Sequence, residues 1–249
     1  MLFASILLWG YCLFKNTIPL KNSAKKPTIL AGFFLGLHFA SFFWGVRNTS
    51  IANATLLANT GPLFTIAISY FKNKTISKDL ILPLLITIFG VLVIQWSNLG
   101  LSKGDLLGNL ASLFSGFCIA NTYLIAKNIR KENSNLAYGR SLFFYAAATI
   151  GFVCFFFNVS ILDFKANDIL WFLFLGLVPS IFGHNSLNYT LKYLSPTAIA
   201  SVPLGEPIIA SIMAYILFLE EVPYNSIIGA PFVFIGIYFI IKKTTSKVY

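Results

Sequence analysis

The sequence predicts an all-α polytopic membrane protein: a helical bundle of two inverted repeats, with nine visible transmembrane segments of an expected ten. Three observations carry this expectation. The first is composition. The 249 residues are 57% apolar, 16% aromatic and only 10% charged, with a mean hydropathy of +0.78. An ordinary soluble domain is about 25% charged, so both a water-soluble globule and a disordered chain are excluded. The second is a one-sided distribution of basic residues. The third is an internal repeat.

Apolar runs separated by short polar loops read, in order, as Met1–Phe14, Thr28–Val46, Asn53–Phe71, Leu80–Ser97, Asp105–Ala126, Ser141–Val159, Ile169–Leu191, Thr197–Leu219 and Ser226–Ile241. A span takes roughly 20 residues, a length that eight of these approach or exceed. Met1–Phe14 falls short. It has neither a basic leader nor a small-residue cleavage site, so a signal peptide does not fit. It reads as the tail of a longer helix, with one further span ahead of it.

The net charge is +10. In a soluble chain that would suggest nucleic acid; here the basic residues are topology signals, and no nucleic-acid partner is expected. One set of alternate loops holds Lys15, Lys21, Lys25, Lys26, Lys72, Lys74, Lys78, Lys127, Arg130, Lys131, Arg140, Lys192, Lys242, Lys243 and Lys247. The other set holds Arg47, Lys103 and Lys165. The positive-inside rule places the first set, and the C-terminus, in the cytoplasm. The expected location is therefore the cytoplasmic (inner) membrane, in multi-pass form. Cys12, Cys118 and Cys154 lie in apolar runs without metal-ligand spacing, which reads as packing rather than a disulfide or zinc site.

Sliding the chain by 145 residues places Arg47 on Lys192, Ser50 on Ser195, Pro62 on Pro207 and Tyr70 on Tyr215; one inserted residue later, Gly90 falls on Gly236. The expected division is a first repeat, 1–104, with four visible helices and a second, 105–249, with five. An odd number of helices per repeat makes the copies enter the membrane from opposite sides. Such inverted repeats are typical of secondary transporters with a site near the midplane.

These residues resemble the drug/metabolite transporter superfamily, EamA type. The second half carries Tyr189–Lys192–Tyr193–Leu194–Ser195–Pro196, Gly205–Glu206–Pro207, Leu219–Glu220, and Gly229 with Gly236. The first half carries Trp44–Arg47–Thr49–Ser50, Gly61–Pro62 and Gly90. Two departures are Lys74 in place of the loop glutamate matching Glu220, and Pro83 in place of the glycine matching Gly229. The resemblance implies ten helices, alternating access, and movement of small metabolites such as amino acids.

Charge inside hydrocarbon is costly, so an acid deep in a span is a candidate site. Glu206 is such an acid, inside Val202–Pro203–Leu204–Gly205–Glu206–Pro207. Two prolines there remove backbone donors and interrupt the helix. Glu206 reads as a substrate- or proton-binding carboxylate, or as a protonated or paired acid joining two helices. His184 lies about 12 Å, and Glu206 about 14 Å, from the cytoplasmic ends of adjacent antiparallel spans, which predicts a common depth. A histidine beside a carboxylate could carry a coupling proton; the other reading is a neutral His bonded to a carbonyl. Ser180, His184, Asn188 and Lys192 recur every four residues, with Asn185 and Tyr189 in the next row. His38, Trp44, Asn59 and Asn109 form a matching set, either as cavity wall or as interhelical hydrogen bonds. Gly32-x3-Gly36 and Gly108-x3-Ser112-x3-Gly116 read as close-packing faces.

No hydrolase, protease or Walker signature is present, so an enzyme is not expected; no catalytic residue, metal or cofactor is assigned. The expected function is a secondary transporter of small polar metabolites, with the substrate and the lipid bilayer as its partners; a homodimer is left open. The alternatives are a non-transporting or inactive scaffold, or a membrane-embedded enzyme.

Overall fold

The computed structural model describes residues 1–73, 78–96, 106–160, 163–219 and 221–245. Lys74, Lys103, Glu220, Lys247, the span ends at Ser97 and Asp105, and the expected repeat boundary at 104/105 lie outside the described residues. The described chain is helical: α1 (Leu2–Phe14), α2 (Asn22–Asn48), α3 (Ile51–Ala58), α4 (Gly61–Asn73), α5 (Lys78–Gln95), α6 (Leu106–Arg130), α7 (Asn135–Phe156), α8 (Asp168–Leu175), a π-helical segment (Gly176–His184), α9 (Asn185–Thr190), α10 (Pro196–Ser201), a 3₁₀ segment (Val202–Gly205), α11 (Glu206–Phe218) and α12 (Tyr224–Thr245). Joined end to end where they continue one another, these form eight helices long and apolar enough to cross a membrane, plus the shorter Leu2–Phe14. That is the polytopic helical architecture expected from the sequence. Large apolar side chains are exposed throughout, Phe155 at 81% and Phe71 at 75% among them. A water-soluble surface does not carry so many.

Helix ends differ from the apolar runs in an instructive way. α2 begins at Asn22 and passes through Pro27, six residues before the apolar run. α7 begins at Asn135, where Ser134 Oγ accepts the Ala137 amide at 3.1 Å. Hydropathy marks the hydrocarbon boundary, whereas the hydrogen-bond ladder continues through polar residues whose long stems reach outward. Arg140, expected in a loop, is therefore inside α7.

The described chain forms two compact units, and both draw on both halves of the sequence. The first comprises Met1–Ala40 and Asn121–Lys192. Within it, α1 buries Ala4, Ser5, Leu8 and Cys12, and Ser5 Oγ donates to the Arg140 carbonyl at 2.9 Å. Gly32 and Gly36 let α2 approach α7: a methyl at Gly32 would stand 3.0 Å from the Leu142 oxygen, and at Gly36 2.8 Å from that of Ala146. At one end Lys21 pairs with Glu132 at 2.9 Å, holding that carboxyl below its usual range. Lys127 Nζ reaches the Lys192 carbonyl at the same end.

The second unit comprises Ser41–Ala120 and Tyr193–Tyr249. Its core packs α5 on α12 through Leu84, Val91, Ile94, Val233 and Ile240. The two helices run antiparallel: Gly90 faces Gly229 and Val233, Gly236 faces Pro83 and Thr87, and Lys243 Nζ meets the Asp79 carbonyl at 3.0 Å. Gly90 and Gly236, which coincide when the sequence is slid on itself, thus do the same job on opposite partners. Cys12, Cys118 and Cys154 are free.

A methyl at Gly90 would stand 2.8 Å from the backbone oxygen of Gly229, which only a shift of a helix relieves. Gly90→Ala and Gly236→Ala are each expected to cost about 1–3 kcal/mol, read as a fall in the thermal melting point of detergent-purified protein. Gly151→Ala, with nothing within 4 Å, is expected to leave the melting point unchanged or slightly raised.

Candidate functional site: two interrupted spans

The first repeat's α3 and the second repeat's α10 start in the same way. Ser50 Oγ accepts the Asn53 amide at 3.1 Å; Ser195 Oγ accepts the Ala198 amide at 3.2 Å. These N-caps replace one missing helical partner each, and they coincide when the chain is slid by 145 residues. Each helix then stops after about two turns. α3 ends at Ala58, with a turn at Asn59–Thr60 before α4. α10 ends at Ser201 and passes through the 3₁₀ segment before α11. Pro203 and Pro207 explain the second break. Pro62, the second residue of α4, explains where the first span restarts, since proline suits a helix start.

Within the second unit the two breaks meet. Asn59 Nδ2 donates to the Pro203 carbonyl at 3.3 Å, and the Asn59 side chain lies beside the Glu206 carboxyl. One and a half turns along α4, Thr65 Oγ1 meets Thr197 Oγ1 at 2.9 Å, both buried. Glu206 is the first residue of α11. It is exposed, and the helix dipole there favours a negative charge. A cavity of about 40 Å³ beside the break is walled mostly by apolar side chains, Leu56, Leu63, Leu84, Ile88, Val91 and Leu204 among them, with Asn59 and Thr60 at its edge. Chemically, this is a carboxylate, an amide and a carbonyl grouped inside a span, the Pro203 carbonyl accepting both the Glu206 amide of its own 3₁₀ turn and the Asn59 side chain.

Trp44 and Asn109 fall in the same unit but at the other end of α3, about 12 Å of helix away. Asn109 Oδ1 accepts Thr49 Oγ1 at 2.8 Å, and the Trp44 carbonyl accepts Asn48 Nδ2 at 2.7 Å. The glycines Gly108 and Gly116 sit against the backbones of Asn48 and Ala58, which is the close-packing role expected of them.

The remaining site residues belong to the first unit. His38 and His184 approach with ring centroids 6.4 Å apart, and Phe39 stacks edge-on against His184 at 5.1 Å. Phe39 is the position onto which His184 falls in the repeat. His184 and Glu206 thus lie in different units, each with its own partners. Asn185 and Asn188 are buried; their carbonyls accept Asn135 Nδ2 at 2.9 Å and Arg130 Nε at 3.0 Å. Tyr189 is half-exposed. The π-helical segment is a feature that helical spacing does not reveal. Its i→i+5 ladder re-aims the stripe running from Ser180 to Asn188. Ser180 Oγ answers by donating to the Leu175 carbonyl at 2.9 Å.

Two interrupted spans related by an internal repeat are a transporter's architecture, and comparison with known sequences agrees. The model of the EamA-like transporter family matches residues 1–96 and 106–242. The chain belongs to this family. A relative from Archaeoglobus fulgidus, described as an uncharacterized transporter, is 24% identical over 227 residues, covering 88% of this chain and 78% of its own. Another uncharacterized transporter, from Clostridium kluyveri, is 24% identical over 212 residues, covering 78% of this chain and 64% of its own. A solved crystal structure superposes with a TM-score of 0.77 at 14% identity, over 96% of this chain and 84% of that one. It shares the fold. The EamA-family chain is therefore a multi-pass membrane protein of a transporter family.

If Thr65 and Thr197 join the two interrupted spans, Thr65→Val and Thr197→Val will not add. A double-mutant cycle on thermal or denaturant stability is expected to give a coupling of about 0.6 kcal/mol, the mean for interhelical pairs in membranes.

Proposed function

We propose that this EamA-family protein is a secondary transporter that moves a small polar metabolite, an amino acid or a related compound, by alternating access across the cytoplasmic membrane. Glu206 binds the substrate's positive group or a coupling proton, with Asn59 presenting its amide beside it. His184, with His38, is the second proton-binding candidate. Asn185, Asn188 and Tyr189 in the first unit, and Trp44 and Asn109 in the second, are the further polar candidates for substrate contact. The two inverted repeats are 1–104 and 105–249, and the C-terminus faces the cytoplasm.

The observation that carries this reading is the meeting of the two breaks at Asn59, Pro203 and Glu206. Backbone that leaves its ladder inside a bilayer is tolerated beside protein or water, and a carboxylate at that depth is retained for function more often than for stability. Orientation is supported by the clustering of basic ends. Lys127 with Lys192 in one unit, and Lys243 with Asp79 in the other, put successive basic termini side by side.

Metabolite profiling of cells lacking and overproducing the protein names the substrate: one compound shifts in opposite directions in the two strains. With that compound in proteoliposomes, Glu206→Gln is expected to lower pH-dependent flux by roughly tenfold or more, a loss of about 1.4 kcal/mol or greater in barrier terms. Flux and pH profile equal to wild type would remove Glu206 from the mechanism. For orientation, a C-terminal fluorescent-protein fusion is expected to glow and a C-terminal phosphatase fusion to be inactive; the reverse pattern would invert the assigned topology.

A further inference from the structure

Arg140 occupies an unusual place in the first unit. It lies inside a span and is only 7% exposed. Its guanidinium stands 4.1 Å over the Trp9 ring, while Nε is buried without a hydrogen-bond partner among the described residues. Its backbone is fixed by Ser5 Oγ on the Arg140 carbonyl, so the α1–α7 contact sets its position. Arginine cannot shed its proton at any ordinary pH. The nearby acid at this end of the unit, Glu132, is tied to Lys21. A buried guanidinium balanced by one aromatic face still lacks an anion.

The depth and surroundings say which anion. Arg140 is five residues into α7, and Trp9 is five residues before the end of α1. Each is about 7.5 Å from the helix terminus, close to the boundary between hydrocarbon and the interfacial layer. Lys15 and Lys131 are exposed at the same helix ends. Trp9 itself is 41% exposed, and along α1 so are Ile6 at 57% and Leu13 at 70%. The little of the cation that reaches the surface is thus flanked by an apolar skin. A free phosphate would find no water-filled route there, whereas a phospholipid brings its acyl chains to that skin and its phosphate to the arginine.

We infer that the Arg140–Trp9 pair at the α1–α7 edge is a binding site for the phosphate of an anionic phospholipid headgroup. The two terminal guanidinium nitrogens take the phosphate oxygens, while Nε stays sealed against the protein. Trp9 holds the guanidinium plane in place from its other face.

The test uses the detergent-purified full chain mixed with equal amounts of phosphatidylglycerol and phosphatidylcholine, with retained lipid counted by native mass spectrometry. Wild type is expected to retain phosphatidylglycerol about fivefold over phosphatidylcholine, the worth of roughly one basic residue at an anionic surface. In Arg140→Gln the ratio is expected to fall close to one, and in Lys131→Gln, a surface-charge control, to stay near wild type. Arg140→Lys, which keeps charge but loses the fork, is expected to fall between. Equal retention of the two lipids by wild type, which needs no variant to fold, would overturn the proposal. So would an equal loss in Arg140→Gln and Lys131→Gln, which would show a diffuse charge effect. Displacement of the bound phosphatidylglycerol by millimolar inorganic phosphate would reassign the site to the free anion and overturn the lipid.

Discussion

Backbone amides and carbonyls must find partners inside a bilayer, because hydrocarbon offers none and each orphan costs several kcal/mol. Much of this protein's character comes from how it meets that demand at the places where its helices stop short. Pro203 and Pro207 open the ladder of one span, and Asn59 opens that of the span it faces. Each break closes part of its own gap with tight local turns, Thr60 N–H and Oγ1 on the Leu57 carbonyl and Glu206 N–H on that of Pro203, and the Asn59 amide on the Pro203 carbonyl links the two. The interaction is weak as a single hydrogen bond, yet it lets two gaps sit in the membrane against each other.

The same logic accounts for the surroundings of the breaks. Both interrupted spans begin with a serine cap, so their short first halves are anchored independently of the α4 and α11 halves beyond each break. Thr65 and Thr197 tie the helices beside the gap. The glycine contacts between α5 and α12, at Gly90, Gly229 and Gly236, bring two backbones close without polar groups. Small residues permit close packing where lipid supplies no hydrophobic drive between helices. The arginine in α7 is the same problem in charged form: a group that needs a partner, placed where the bilayer itself can provide one.

Much of this was legible in the sequence. Composition and the run lengths placed the spans, and the repeat placed Ser50 with Ser195 and Gly90 with Gly236 in matching local roles. The break at Pro203–Pro207 was legible because two prolines announce it. The break at Asn59 was not, since Asn59–Thr60 is compatible with a helix and Pro62 fits as the start of the next one. The π-helical segment escaped for a similar reason: periodicity presumes an i→i+4 ladder, and one extra residue per turn leaves no compositional trace. Pairings between residues far apart in sequence, such as His38 with His184, depend on how helices turn about their axes, which hydropathy does not encode. The expected depth match of His184 with Glu206 rested on distance along each helix alone; the structure assigns the two residues to different compact units, with separate partners.

The role proposed for Glu206 requires water to reach its carboxylate between the interrupted spans. Accessibility at that position tests it most directly. In a background with Cys12, Cys118 and Cys154 replaced by Ser, Glu206→Cys and Leu204→Cys would be treated in intact membranes with a membrane-impermeant maleimide. Position 204 is 2% exposed and serves as the internal reference. Clear labelling at 206, slowed by transported substrate, against little at 204, is the expected result. Labelling at 206 no faster than at 204, with or without substrate, would place the carboxylate in dry packing and contradict that role.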